Sequence, residues 1–481
     1  MAAAHRNILS YSTVVACLVL TGCASFAELG TAGVQVANVW HATLPHAGRT
    51  SDLATWWSTF NDPSLTSLIG YAQEENPSLA SAAADIDKAR ATLASARSSL
   101  FPGLDGSGSV TRSSTDGDAI NRVAASTISS GSLDASWEID LFGKTRQKSE
   151  AAHLRVHEQI ANWHEARISL AAEVADYYVQ YRACRQLENV YSMELASQRQ
   201  TMRATEAAAT SGFTSTADLA LVRASAATSS STLTAQRAEC EVLVKSLAQV
   251  TGSDETRVRE IMAKGKTGIP TPKSFLINAV PADVLRQRPD ISALELELAA
   301  SIADIGAAKA DLYPSLSLGG SVTISSSTLT GDSLPWSFGP ALSIPLLDGG
   351  SRRAAVRSAI ADYDTAVASY KSGVLSAIAE VETALVRIDS TRRRIGDASS
   401  AARNYRTYFN SVDSNWRAGG VSLLDREEAR RSAQSAEITL IETRRDAVRY
   451  WIALYKAVGG GWDATSALPS QRRTKSQGNS L

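Results

Sequence analysis

The chain is poor in the residues that protein chemistry most often uses. Its 481 residues include six histidines and four cysteines, little material for a metal centre or a redox site. It has no HExxH, no nucleotide-binding glycine loop and no nucleophile elbow. Serine is abundant, but no histidine and acid accompany it in a recognisable catalytic order. The sequence therefore reads as no enzyme, with no cofactor and no metal site. Net charge is also lacking. Lys+Arg number 48 against 49 Asp+Glu, a formal charge of -1, which leaves no electrostatic footprint for nucleic acid. Long apolar runs are missing beyond the N-terminus, where none approaches the roughly 18 residues of a transmembrane helix. Any further membrane crossing must use strands, which need only about 9–11 residues each.

The N-terminus is where an apolar run does stand. Arg6 precedes a stretch from Ile8 to Leu20, too short for a permanent span, which ends in Leu20-Thr21-Gly22-Cys23. This reads as a lipoprotein signal peptide over residues 1–22, with Cys23 as the lipid attachment site of an exported chain. Ala24, rather than Asp, follows it, which fits retention in the outer membrane. Cys17 belongs to the same signal.

An internal repeat organises the rest. Asn76-Pro77 opens a helical stretch that closes at Leu100-Phe101-Pro102, and Arg288-Pro289 opens another that closes at Leu312-Tyr313-Pro314. Each runs 25 residues from proline to proline. Gly212 is followed six residues later by Asp218 and forty later by Gly252, and Gly419, Asp425 and Gly459 keep both intervals. An offset of 207–212 residues thus makes the second half a copy of the first. The layout that follows is a lipidated N-terminal and equatorial segment at 23–75, repeats at 76–252 and 288–460, an equatorial linker at 253–287, and a loosely ordered tail at 461–481.

Each repeat reads as helix, strand, strand, very long helix, turn, helix. Period-two alternation marks the strands: Leu316, Leu318, Val322 and Ile324; Leu334, Trp336, Phe338, Leu342 and Ile344; Leu133, Ala135, Trp137 and Ile139; and, more weakly, Leu104 to Val110. One face is apolar, the other small and polar, as suits a sheet between lipid and water. A soluble sheet on a protein core has the same alternation. Residues 144–211 contain neither Pro nor Gly, and 351–418 contain only Gly373 and Gly396, so helices of about 100 Å are allowed. Trp163, Leu170, Val174, Tyr177, Tyr181 and Cys184 on one helix, and Leu219, Val222, Ala226, Leu233, Cys240, Leu243, Leu247 and Val250 on the next, step as coiled-coil seams. Four strands cannot seal their own edges in lipid, so the sheet must close with other copies of the chain.

These features, with Trp56-Trp57, Phe60-Asn61-Asp62-Pro63-Ser64-Leu65, Arg288-Pro289-Asp290-Ile291, Pro345-Leu346-Leu347-Asp348-Gly349-Gly350 and the run from Leu454-Tyr455 through Gly459-Gly460-Gly461-Trp462, resemble the outer-membrane efflux proteins of the TolC type, within them the lipidated NodT-like branch. The resemblance covers about Trp56 to Trp462. It implies a mainly α fold with a transmembrane β-barrel, in which a homotrimer closes a twelve-stranded barrel onto an α-helical tunnel. It also implies an exit duct for drugs or toxic small molecules, docked to a periplasmic adaptor and an inner-membrane pump of the resistance-nodulation-division type. The exit duct of a protein or peptide secretion system shares the fold; a lipid-anchored coiled-coil scaffold without a pore is the rival from another class.

The resemblance assigns the hairpin tips, Gly212-Phe213-Thr214-Ser215 and Gly419-Gly420-Val421-Ser422, to adaptor docking, and Asp425 with Arg417 to the periplasmic gate. Helix capping is the competing reading, since Ser215-x-x-Asp218 and Ser422-x-x-Asp425 both fit a capping box. Cys184 and Cys240 each lie 28 residues from Gly212. Folding there brings them to one level, where an oxidising compartment permits a disulfide; two reduced thiols packed together satisfy the same spacing. His153, His157 and His164 share a helix and read as solvated or packed side chains. Arg392-Arg393-Arg394 reads as a solvated helix face.

Overall fold

Asparagine, aspartate and proline punctuate the start of the fold. In a computed structural model that describes residues 56–114, 125–274 and 281–462, Asp62 caps α1 (Pro63–Glu75) by accepting from the Ser64 N–H at 3.0 Å. Asn76 then ends α1 and caps α2 (Pro77–Ser98), its Oδ1 accepting from Ser78 and Leu79. Proline at the first helical position needs no hydrogen-bond partner and has its φ already set. Two strands follow, β1 (Gly103–Ser113) and β2 (Ser126–Ile139), then α3 (Lys144–Thr210), α4 (Thr216–Thr251) and the short α5 (Glu255–Ala263). After α6 (Pro281–Arg286) the pattern repeats: α7 (Pro289–Ala310), β3 (Ser315–Ser327), β4 (Gly331–Ser333), β5 (Trp336–Ser343), α8 (Ser351–Arg417) and α9 (Leu423–Ala457). The signal peptide, Cys23 and the tail beyond Trp462 lie outside the described residues.

The helices of the two repeats match one for one. α2 and α7 have 22 residues each, α3 and α8 have 67 each, and α4 and α9 have 36 and 35. Both long helices start at a left-handed glycine, Gly143 or Gly350, and take a carboxylate onto their first N–H groups. Asp140 accepts from Thr145 and Arg146, Asp348 from Gly350 and Arg352. The return helices end alike. Asn76 donates to the Val250 carbonyl at 2.6 Å and Arg288 to the Ala457 carbonyl at 2.8 Å. Gly252 and Gly459 each pass so close to the opposite backbone that a Cβ would lie 2.7 Å from Glu75 O or 2.2 Å from Gln287 O.

The main core forms where the two repeats meet. Trp56, Trp57 and Phe60 pack with Leu65, Leu68, Trp163, Val174, Tyr178 and Tyr455, and the Trp56 and Tyr455 rings stack at 5.0 Å. The Tyr178 hydroxyl donates to Asp62 at 2.6 Å and accepts from the Arg182 guanidinium, which also reaches the Met262 carbonyl. Two expectations are revised. Tyr178, not Tyr177 or Tyr181, lies fully buried on α3, because this helix packs against α2 and α7 along one part and α4 and α9 along another, so no single seam runs its length. Within the segment 253–287, α5 contributes buried Val258 and Met262 to the core. The last return strand is broken into β4 and β5, leaving Leu334 and Ile344 outside the ladder. Pro335 sits at the break, lacks an N–H to donate, and accepts from the Thr323 N–H instead.

Candidate functional site

The sheet and the hairpin tips are the two surfaces that the core does not use. The sheet is antiparallel in the order β1-β2-β3, with β4 and β5 both paired to β3. Its register sorts the side chains. Leu104, Val110, Leu133, Trp137, Leu318, Val322, Ile324, Trp336, Phe338 and Leu342 share one face, and most stand exposed, Trp336 at 75%. The opposite face holds Ser107, Ser109, Ser130, Ser132, Ser317, Ser321, Thr323 and Ser337, with Asp105 directly across from Asp134. Hydroxyls pair across strands, Ser107 with Ser132, Ser109 with Ser130 and Ser321 with Ser337, each at 2.9 Å. An exposed apolar face on a sheet with a hydroxylated back suits a wall between lipid and water. No described helix is long and apolar enough to cross a membrane.

The two tips are built alike. Gly212 and Gly419 both have φ of 77° with open space where a Cβ would go, so the left-handed turn itself is what requires glycine. The following residues close the helix ends: Phe213 N–H donates to Ala208 O and Gly420 N–H to Asn415 O, both at 2.8 Å. Phe213 is 87% exposed. On the far side Ser215 caps α4 and Ser422 caps α9. Asp425 completes a full capping box, its Oδ2 accepting from the Ser422 N–H at 3.1 Å and the Ser422 hydroxyl at 2.6 Å. The Ser422 hydroxyl, then its backbone N–H, hold the Asp425 carboxyl below the usual range; Ser215 and Thr214 do the same for Asp218. Arg417 pairs with Asp413 at 2.8 Å, so within one chain the two gate candidates have separate partners.

Asp413 leads to residues that sequence reasoning missed. It also binds Arg426 at 2.6 Å, whose guanidinium lies over the Trp416 ring at 4.7 Å. Arg426 and Arg430 both reach Glu427, at 2.9 and 2.8 Å; Glu427 accepts from Gln198 at 2.8 Å, and Arg430 touches Glu194. Gln198 and Glu194 belong to α3, so this buried polar cluster joins the first hairpin to the second. Burial, with Arg431 nearby, draws Arg430 down to about 10, which leaves it charged at neutral pH. A signal existed: Arg426, Glu427 and Arg430 stand at spacings of one, three and four on α9, on the side that also carries Ala429.

The remaining candidates resolve individually. Cys184 and Cys240 are joined in a disulfide, Cα atoms 5.6 Å apart, which clamps α3 to α4. His164 is buried beside Trp163 and Trp462, and that burial, with Arg167 close by, pushes it down to about 4. Half-buried His153 and exposed His157 lie on α3 with their rings in contact. Arg392 and Arg393 are largely solvated and both pair with Asp389. No group of three or more His, Cys, Asp or Glu converges on a point among the described residues.

Known proteins bear on this arrangement. The family profile "Outer membrane efflux protein" matches residues 68–253 and 280–460. Nodulation protein T of Rhizobium leguminosarum bv. trifolii is 29% identical over 461 residues, covering 94% of this chain and 97% of its own. Outer membrane protein OprJ of Pseudomonas aeruginosa is 31% identical over 489 residues, 98% of this chain and 100% of its own. The solved outer-membrane channel OprN superposes with a TM-score of 0.76 at 27% identity, over 89% of this chain and 99% of that one. Such channels are not enzymes and need no cofactor. The match falls on both repeats and spans most of the chain, which belongs to the outer membrane efflux protein family.

Proposed function

We propose that three copies of this chain close side by side into the exit duct of a tripartite exporter that passes drugs or other toxic small molecules out of the cell. The observation that carries this reading is the arrangement of borders. Among the described residues the sheet ends in β1 on one side and in β4 with β5 on the other. Beside the strands the helices run in the order α2, α3, α7, α8; towards the tips the order is α4, α3, α9, α8. Every layer therefore has a first-repeat element at one border and a second-repeat element at the other. Joining such borders head to tail makes a heterologous contact that can close a ring. Two copies would give eight strand positions, a cylinder filled by its own side chains; three give twelve, with room for water. The serine-rich face lines that lumen and the apolar face meets lipid.

In this arrangement residues 76–252 and 288–460 are the staves, residues 1–22 are removed, and Cys23 carries the lipid. Gly212, Phe213, Thr214 and Ser215, with Gly419, Gly420, Val421 and Ser422, receive a periplasmic adaptor that links the duct to an inner-membrane pump of the resistance-nodulation-division type. Arg417 and Asp425 line the gate. The efflux class of the family supports an outward path, and the exposed tips support a docked partner. Single-channel recording on the purified protein in planar bilayers tests it. Trimers with a conductance that rises in Arg417→Ala and Asp425→Ala are expected. A monomer that stays silent in all three forms sinks the proposal.

A further inference from the structure

We propose that His153 and His157 form a two-histidine site for a divalent transition-metal ion of the imidazole-binding class, zinc, copper(II) or nickel, on one face of α3. A separation of four residues places both rings on one side of the helix. Their Nε2 atoms lie 3.3 Å apart, and the rings meet edge to face with centroids at 4.8 Å and planes at 82°. Histidine binds zinc at about 2.0–2.1 Å, so an ion placed between two nitrogens this far apart subtends about 107°, close to the tetrahedral angle. Imidazole nitrogens suit zinc, copper and nickel alike, so the pair selects a class of ion rather than one metal.

The surroundings leave the pair free for this. Arg155, between them in sequence, points elsewhere: it binds Glu297 at 3.0 Å and Asp304 at 2.8 Å on α7. Among the described residues no third His, Cys, Asp or Glu converges with the two rings, so water completes the coordination and the affinity depends on both histidines. A bound ion would staple one turn of α3 on the face that, seven residues further on, buries His164 against Trp462. The site stands independently of the exit-duct reading, because it lies within one chain. Its competitor is a neutral N–H···N hydrogen bond between the rings, which gives the same separation and binds nothing.

Copper(II) titration of the untagged full-length protein in detergent, read by calorimetry and electron paramagnetic resonance, separates the two. We expect an ion coordinated by two imidazole nitrogens in the wild type. His153→Gln and His157→Gln should each weaken binding at least about tenfold, the lower end of what losing even an outer-shell partner costs a metal site. Each should also reduce the nitrogen pattern from two rings to one, while His41→Gln/His46→Gln should change neither reading. Glutamine is a good helix former, so both α3 variants should keep the helical circular-dichroism spectrum and isolate the loss of a ligand. Binding unchanged in His153→Gln or His157→Gln, a one-nitrogen spectrum in the wild type, or no binding below ~100 µM copper, far weaker than a useful site, overturns the proposal.

Discussion

The first hairpin, α3 with α4, and the second, α8 with α9, share length, turn and capping, yet they are held by different chemistry. A covalent bridge, Cys184–Cys240, fixes α3 against α4. Among the described residues the second hairpin has no such bond; Arg406–Glu437 and Asp413–Arg426 link its helices. The second hairpin also contains Gly373 and Gly396 within its long helix, where the first has none. Its strongest tie runs sideways, through Glu427 and Arg430 to Gln198 and Glu194 of the first hairpin. A pair built in this way has one member closed by a covalent bond and one closed by ion pairs alone.

The largest test of that contrast is Glu427→Ala. It removes the carboxylate shared by two buried guanidinium groups, leaving Arg426 only Asp413 and Arg430 only Glu194, and should lower the unfolding free energy by ~3–5 kcal/mol. Glu188→Ala, which removes pairs with the exposed arginines Arg185 and Arg237 in the first hairpin, should cost about 1 kcal/mol. Equal effects in urea unfolding would erase the distinction. Next, Cys184→Ser/Cys240→Ser opens a loop of 56 residues and should cost ~2–4 kcal/mol, with limited proteolysis accelerating at the first tip and not the second.

The glycines that lock the return helices sharpen the comparison further. Gly459→Ala places a Cβ 2.2 Å from Gln287 O and Gly252→Ala places one 2.7 Å from Glu75 O, both at positive φ. Each should lose ~1–3 kcal/mol in thermal unfolding, Gly459→Ala the more. The smallest effects fall at the caps. Ser422→Ala and Ser215→Ala should each cost about 1 kcal/mol. Asp425 and Asp218 are held below their ordinary 3.8, so the folded state binds fewer protons than the unfolded chain. Their contribution is complete above that value and is lost as the pH falls through the lower folded-state values. Acid unfolding of the Asp425→Asn/Asp218→Asn variant should therefore be less steep below pH ~4.

Much of this was legible in the sequence because it rests on local rules. The prolines at 77 and 289 mark helix starts, the lack of Pro and Gly between 144 and 211 permits α3, and equal spacing about Gly212 brings the two cysteines level. Both capping serines were visible three residues before their acids. What escaped was set by packing between distant elements. The alternation of Leu334 and Trp336 runs straight across Pro335, but a ladder needs an N–H that this residue lacks. Tyr177 and Tyr181 fit a heptad, yet α3 has different neighbours along its length and turns Tyr178 inward. Arg426 and Arg430 drew no reading from the sequence and lie buried, where Arg430 meets α3. The spacing of Arg426, Glu427 and Arg430 hinted at a cluster, but no local pattern names partners that lie more than 200 residues away.

The serines that pair across the sheet have a bearing on traffic. Each hydroxyl already engaged by its neighbour offers a passing solute little to grip, and side chains this short leave no pockets to lodge in. Lining the proposed duct, a wall of that kind would discriminate poorly and release quickly, with the choice of what travels left to the proposed partners.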